Sequence, residues 1–503
     1  MVQQHLSTSP SSAVAEPSSS PDAPILFEAV HSLRKITLNR PKALNTLNLE
    51  MVDAMLPALE KYEKSDLANV VMLRGTGDKA FCAGGDVVAL VNQLKDEKTW
   101  QKSAEFFKKE YVTDAFIATM KKPVVSVMHG ITLGGGVGIS MHAPFRIATE
   151  ATSIGMPETN IGLFPDVGAN FFLGRLDGHL GEYLGVTGHN LKGKAALFSG
   201  FASHYIPSER LRDLEQRLSE LDQSASVEVV NNAIEEFVAD VEELKNAGPE
   251  YDLVGAKRRA IDYVFGKKTA EEMVADLKAL ADGSLNLEKS KIIIEGQNNE
   301  VIDMSALQKW AKQTLSVFEH RSPTSIKLTI KAIREGRKLD IEEVFAMDSR
   351  IATACCNPEL APDFKTGVTH NLIEKKRDSR PPWSPATLEE VTDQHITKIF
   401  FSIPPPFSNP PLGHLQFRHE QQVGRGAYTQ YPHAKFSLPS ENDIRDVVTG
   451  EAKGSGKYAL KVEEVVKAVV KRWNNKVGTE QKVREVLARR CHVEEGGTVK
   501  WIN

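Results

Sequence analysis

Two carboxylates and two glycine turns carry the residue types and spacing that chemistry would need. Glu158 stands in MPET and Asp166, eight residues on, in FPDVG. Each sits beside a proline in a short turn-like segment among apolar residues, so both carboxyls are expected to be buried. Just upstream, the apolar run from Val124 to Met128 has the makings of a buried strand. It leads into Gly134-Gly135-Gly136, with Gly138 just after, and then into an apolar segment that can be helical. Glycines at a strand-to-helix junction let the backbone come within hydrogen-bonding distance of a ligand, and the helix N-terminus aims unpaired N–H groups at it. The same order of strand, glycine turn and helix occurs earlier, in DKAFCAGGDVVALVNQL, near Gly85 with the helix beginning at Asp86. N–H groups from two separate turns can converge on one oxygen, which a single turn seldom achieves. Convergent donors beside two semi-buried carboxyls describe an oxyanion site with an acid or base group, and that points to acyl chemistry.

Other chemistries fit these residues less well. The chain has no GxxxxGK followed by Ser or Thr, and GGGVG departs from GxGxxG, so neither nucleotide fingerprint fits. Cys82 lies in the FCAGGD loop without a histidine nearby and reads as a small packing residue. His129 and His142 read as structural histidines. Between Lys122 and Arg146 there is no Asp, Glu, Lys or Arg, but five glycines, two histidines and Pro144 break the stretch into strand, turn and helix rather than a membrane span. A net charge of −4 over 503 residues argues against a generally nucleic-acid-binding surface. Four cysteines, two of them adjacent at Cys355 and Cys356, give neither a disulfide framework nor metal spacing.

The elements that must hold these groups are legible in chain order. Residues 1–24 are Ser-, Pro- and Ala-rich and are expected to be disordered. They are poor in acids, as transit peptides are, but the first Lys or Arg is Arg34, so the targeting signal is weak. FEAVHSLRKITLNR reads as a strand pair about a His-Ser turn. Asn48 can cap a helix over LEMVDAMLPALEKYEKS, and ANVVMLRGTG is a buried strand. WQKSAEFFKKEYVTDAFIATM is helix-like, and from its neighbours Lys108 and Lys109 alone, Glu110 would be a solvated charge. Beyond residue 205 apolar positions three and four apart mark amphipathic helices, read as scaffold and the rim of a substrate pocket. The length suits one large domain plus a smaller one, or two to three domains.

NRPKALNTLN, FCAGGD, HGITLGGGVG and MPETNIGLFPDVG, occurring in this order, resemble the enoyl-CoA hydratase/isomerase (crotonase) superfamily, and within it the 3-hydroxyisobutyryl-CoA hydrolase branch of valine breakdown. The likeness covers residues 25–401, including SPTSIKLTIKAIREG, DFKTGV and WSPATLEEV. It implies an α/β fold, a ClpP-like spiral of ββα units with a helical C-terminal part, in a mitochondrial protein. It implies an acyl-CoA thioester as substrate and no cofactor, coenzyme A being part of the substrate. Gly85 and Gly135 match the oxyanion-hole donors, and Glu110, Gly135, Glu158 and Asp166 match acyl contacts or catalytic groups. Lys42 and Ala43 match the segment that contacts the coenzyme A nucleotide. Glu158 would either activate water or attack to form a transient mixed anhydride, and both stay open. Asp166 would position the substrate hydroxyl or water and tune Glu158 by like-charge coupling. Superfamily hydratases add a second glutamate two residues beyond the glycine triplet. Gly138 stands there in this chain, so thioester hydrolysis is expected rather than hydration of a double bond.

The likeness ends near Phe401. Residues 402–414, with IPPPFSNPPLGH, read as a Pro-rich linker, and residues 415–503 as a basic, mainly helical extension. Ser440 to Asp443 resembles a capping box. From Glu451 onward twelve Lys and Arg face seven acids, and YALKVEEVVKAVVKRWNNK puts Val462, Val465, Val466 and Val469 on one face, suited to a partner. Such a tail resembles that of fungal family members in the mitochondrial small ribosomal subunit. An active thioesterase and a ribosome-associated structural protein on the same scaffold are therefore both open. The intact glycine turns and carboxyls favour retained chemistry. The tail lies beyond every candidate catalytic residue and is expected to be dispensable for it.

Overall fold

The first hairpin sets the pattern. Ile25–Val30 (β1) turns through His31, at φ 49°, and returns antiparallel as Leu33–Leu38 (β2), as the strand pair expected. The computed structural model describes residues 20–94, 99–293, 303–402, 426–456 and 458–502. The expected disordered segment 1–24 lies outside them as far as residue 19, and the expected linker 402–414 lies outside them from residue 403.

From β2 onward the chain alternates between two sheets. Val70–Gly75 (β3) pairs in parallel with β2, and Ala80–Cys82 (β4) begins the second sheet. Val124–Val127 (β5) returns to the first sheet and Ile131–Leu133 (β6) to the second. Phe145–Ala148 (β7) and Ser153–Gly155 (β8) repeat the step. Leu191–Lys192 (β9) and His204–Tyr205 (β10) complete the orders β4-β6-β8-β9 and β1-β2-β3-β5-β7-β10. Helices follow the strand pairs: Leu49–Lys64 (α1) before β3, Val87–Gln93 (α2) and Trp100–Thr119 (α3) after β4, and Gly135–Met141 (α4) after β6. This is the expected spiral of ββα units. Buried on both faces, β3, β5 and β7 are nearly continuous apolar runs, as parallel strands require. Local signals start the helices on cue. Asn48 accepts from the Met51 N–H and Asp86 from the Ala89 N–H.

Helices clothe both faces of the spiral. α3 packs along Ile341–Cys356, which belongs to the expected helical C-terminal part. Behind the six-stranded sheet, Leu33, Met72, Phe145 and Ile147 meet Leu214, Leu218 and Ile234 from the helices Leu211–Ser219 and Val227–Glu235.

The extension 415–503 divides in two. Its first described part belongs to the body: Tyr428, Tyr431 and Leu438 pack on the main core and Phe436 enters the second. Arg146 of β7 donates to the Tyr431 hydroxyl and to Ser437 Oγ. Beyond it, Ile444, Val465, Val469, Val483 and Val486 form a core of their own. Ser440 and Asp443 make the expected capping box at the helix Glu441–Thr449. The valine face is a correction. Val465, Val466 and Val469 are buried inside that small core, because the helices Glu441–Thr449 and Thr479–Arg490 cover them, so they are not offered to a partner. A hairpin of Cys491–Val493 and Val499–Trp501 also interrupts the expected helical character.

The seam between tail and body is ionic and buried. Arg489 pairs with Glu441 and, at 3.5 Å, with Asp262. Arg258 reaches Glu441 at 3.1 Å and Asp262 at 3.2 Å. Lys482 meets Asp177 and Lys476 meets Glu235, each at 2.6 Å. Removing the chain beyond Phe401 would take Lys482 from Asp177, Arg489 from Asp262 and Lys476 from Glu235 and uncover apolar side chains, so the expected dispensability of the tail does not fit this seam.

Candidate active site

The two glycine turns meet. Gly84 lies at φ 95° and Gly134 at φ 48°, ψ −120°, conformations that favour glycine. A Cβ at Gly84 would stand 3.3 Å from the Leu133 carbonyl oxygen and 3.7 Å from the Gly135 nitrogen. The Gly85 turn is pinned from both sides, the Leu47 N–H donating to the Gly84 carbonyl and the Asp86 N–H to the Leu47 carbonyl, each at 2.8 Å. Gly135 is the first residue of α4, where N–H groups have no intrahelical acceptor. Among the described residues neither the Gly85 nor the Gly135 N–H donates to another protein group.

Three carboxyls lie against the glycines of α4 and its turn. Glu158 Oε1 is 2.9 Å from where a Cβ at Gly134 would be, Glu110 Oε1 2.2 Å from one at Gly135, and Asp114 Oδ2 2.7 Å from one at Gly138. At 135 the Glu110 carboxyl fills the space of a side chain, so any residue other than glycine would displace it. Glu158 opens the short 3₁₀ turn Glu158–Ile161 and is buried, with Oε2 unpartnered among the described residues. Asp166 is also buried and accepts from the Tyr111 hydroxyl at 2.5 Å. Its loop is held hard. Val167, a β-branched residue, is forced to φ 55°. The Gly168 N–H and Asn170 Nδ2 both donate to Asp348, and His142 Nε2 lies 3.0 Å from the Val167 carbonyl oxygen.

Burial governs the protonation of this cluster. It holds Glu110 well above the ordinary carboxylate range, and the Asp166 charge adds to the effect. It holds Glu158 well above that range too, reinforced by Asp166 and opposed by Arg321, whose own value falls to about 10 in the half-dry environment. Asp166 is raised by burial to about 6, the Tyr111 hydrogen bond keeping it from going further. A buried carboxyl with a value drawn toward neutrality suits a base or nucleophile at neutral pH. His142 is pushed by burial down to about 4, so it is a neutral imidazole donating to Val167, structural as expected. Burial raises the Cys82 thiol to about 12, and it packs under the turn.

Gly85, Gly135, Glu110, Glu158 and Asp166, scattered over 82 positions, thus come together. Glu110 is 2% exposed, which overturns its reading as a solvated charge. Lys42 and Ala43 lie apart from the carboxyls, on the turn Pro41–Ala43. That turn is tied to the FCAGGD loop by the Ala83 N–H, which donates to the Leu44 carbonyl at 3.0 Å. Lys42 is exposed and forms no ion pair among the described residues. Sequence reasoning missed Tyr111, Asp114, Arg321 and Asp348. Asp114 had a signal, four residues after Glu110 and so on the same face of the helix, whereas Tyr111, one residue after it, is turned away from that face. Arg321 and Asp348 had none, since only tertiary packing brings them near.

Comparison with known proteins agrees with this geometry. The enoyl-CoA hydratase/isomerase family model matches residues 33–400. Small ribosomal subunit protein mS47 of Neurospora crassa is 37% identical over 487 residues, which are 95% of this chain and 87% of that protein. The mitochondrial 3-hydroxyisobutyryl-CoA hydrolase of Danio rerio is 39% identical over 387 residues, 77% of this chain and 91% of that protein. The crystal structure of a carnitinyl-CoA dehydratase from Mycobacterium thermoresistibile superposes with a TM-score of 0.63 at 28% identity, covering 80% of this chain and 100% of that one. With a spiral of ββα units, paired glycine turns and a family match over most of its length, the chain belongs to the enoyl-CoA hydratase/isomerase family.

Proposed function

We propose that this protein hydrolyses 3-hydroxyisobutyryl-CoA to 3-hydroxyisobutyrate and free coenzyme A, as a mitochondrial enzyme of valine breakdown. The observation that carries the reading is the buried Glu158 carboxyl, set against the Gly134 turn with Oε2 unpartnered, together with the N–H groups of Gly85 and Gly135, which donate to no protein group among the described residues. The thioester oxygen would take both N–H donors, each commonly worth about 3 kcal/mol as charge develops on it. Glu158 would take a proton from water as the water oxygen bonds to the carbonyl carbon, or would bond to that carbon itself. The C–S bond then breaks and the coenzyme A thiolate leaves, taking the proton held by Glu158 on the first route or one from water on the second, where water then cleaves the mixed anhydride to release the acid and restore Glu158. Asp166, oriented by Tyr111, would hold the acyl hydroxyl or the water. Hydration of a double bond is disfavoured because position 138 supplies no carboxyl of its own. A panel of coenzyme A thioesters assayed for free thiol tests the reading. Thiol release is expected from 3-hydroxyisobutyryl-CoA with little hydration of crotonyl-CoA, and hydration at rates matching hydrolysis would overturn it.

The mS47 relative supports a second role, because its match covers the tail whereas the hydrolase match covers 77% of the chain. We propose association of this protein with the mitochondrial small ribosomal subunit through the exposed basic side of the tail. Charge reversal at the exposed Lys467 and Lys471 is expected to reduce cosedimentation with ribosomal particles while the protein stays folded. Unchanged cosedimentation would remove this surface from the reading.

A further inference from the structure

Asp114 is a buried acid to which nothing above assigns a task. It lies one helical turn beyond Glu110 on α3, is 0% exposed, and neither of its oxygens has a partner among the described residues. Its Oδ2 points at the space a side chain on Gly138 would occupy, which Val167 closes from the other side at 2.6 Å. A carboxyl therefore reaches this part of the site from across the helix pair, while the residue on α4 is kept to hydrogen.

We propose that Asp114 is a positioning residue of the thioester site: a neutral carboxyl group at neutral pH, standing in the space left by Gly138 and limiting the negative charge beside Glu110 and Asp166. The inference rests on the hydrolase reading of the same site. Burial and two carboxyls, Glu110 and Asp166, act on the charge of Asp114, and other titratable groups stand around them. α3 contributes Glu110 and Tyr111, the Asp166 loop contributes Asp166 itself, and Glu158 lies beyond. Asp348 supports that loop, and the buried Cys82 thiol lies near enough to feel the Asp114 charge, while Cys355 and Cys356 face Asp166. The cations Arg321 and Arg350 act on Glu158 and Asp348, and neither forms an ion pair with Asp114. Burial, then the charges of Glu110 and Asp166, holds the Asp114 carboxyl well above its ordinary range. An ionised Asp114 would add a like charge to a site in which an oxyanion develops, and turnover would fall as it forms. In its neutral form the group instead offers one O–H donor and one acceptor.

The test compares wild type with Asp114→Asn, neutral at every pH. At neutral pH the infrared difference spectrum should show the carbonyl stretch of a protonated buried carboxyl, lost in the variant. A difference confined to carboxylate bands overturns the proposal whether or not the protein hydrolyses any thioester. In thiol-release assays Asp114→Asn should lose two- to fivefold in kcat at pH 7, with KM within twofold, and should lack the alkaline fall expected of wild type. Superimposable pH profiles, or a loss above tenfold at pH 7, would overturn it. Asp114→Leu, also neutral and of similar size, replaces the amide variant if that one does not fold, and the same spectral and alkaline outcomes are required of it.

Discussion

Two groups of buried acids in this protein have opposite fates. In the site, Glu110, Asp114, Glu158 and Asp166 are dry and lack a cation at ion-pair distance among the described residues, and burial raises them all. In the seam between body and tail, Asp177 and Asp262 are mostly buried, but Lys482, Arg258 and Arg489 overcome the burial and lower both. Burial alone therefore decides neither outcome; the partners do. Unpaired acids near neutrality are costly to the fold and useful to chemistry, whereas paired ones hold two parts of the chain together and are silent at neutral pH.

Breaking each group should separate these roles. Glu158→Gln is expected to have the largest effect, lowering kcat for thiol release by about 100- to 10,000-fold. Its melting temperature should match or exceed that of wild type, because an amide relieves the unpaired acid. Turnover within tenfold of wild type would remove Glu158 from its central role. Arg489→Leu should do the reverse. Leaving Glu441 and Asp262 short of a buried partner should cost about 3–5 kcal/mol in denaturant unfolding, while kcat at 25 °C stays within threefold. Unchanged stability would show that the seam contributes specificity rather than cohesion.

A smaller change should sharpen the contrast. Tyr111→Phe deletes the side-chain donor that restrains the Asp166 value, leaving only a backbone one, so the acid limb of kcat/KM, expected near pH 6, should move up by roughly one unit. The loss should be several-fold at pH 6 and smaller at pH 8, and an unmoved limb would assign that limb to another group.

Stability should divide with pH along the same line. Asp166 is raised above its unfolded value, so what it contributes is full below that value and is lost as pH rises through about 6. Glu235 in the seam is the opposite case: burial pushes it up, but His204 and Lys476 hold it at about 2. Its contribution is present above its unfolded value and is lost as pH falls through about 2. Hydrogen exchange at graded pH should therefore show acid loosening the tail before the site.

Much of the site was legible because its signals are local. The glycine turns, the Asn48 cap and the Ser440 capping box each depend on a few neighbouring residues, and each formed as read. Glu110 misled from its own neighbours, since two adjacent lysines say nothing about which side of α3 turns inward. The valine face of the tail was correctly amphipathic, but periodicity shows that a face will be covered and not by what.

The sequence by itself determined the order of strand, glycine turn and helix, the residues at which helices start, and the absence of a carboxyl at position 138, because these follow from short-range sterics and hydrogen bonding. Only the tertiary structure decided that Glu110 and Asp114 turn into the site, that Tyr111 grips Asp166, and that the tail is clamped to the body by Arg489 and Lys482. Those outcomes depend on which distant surfaces exclude water together, and the same carboxyl or guanidinium is a solvated charge until another part of the chain closes over it.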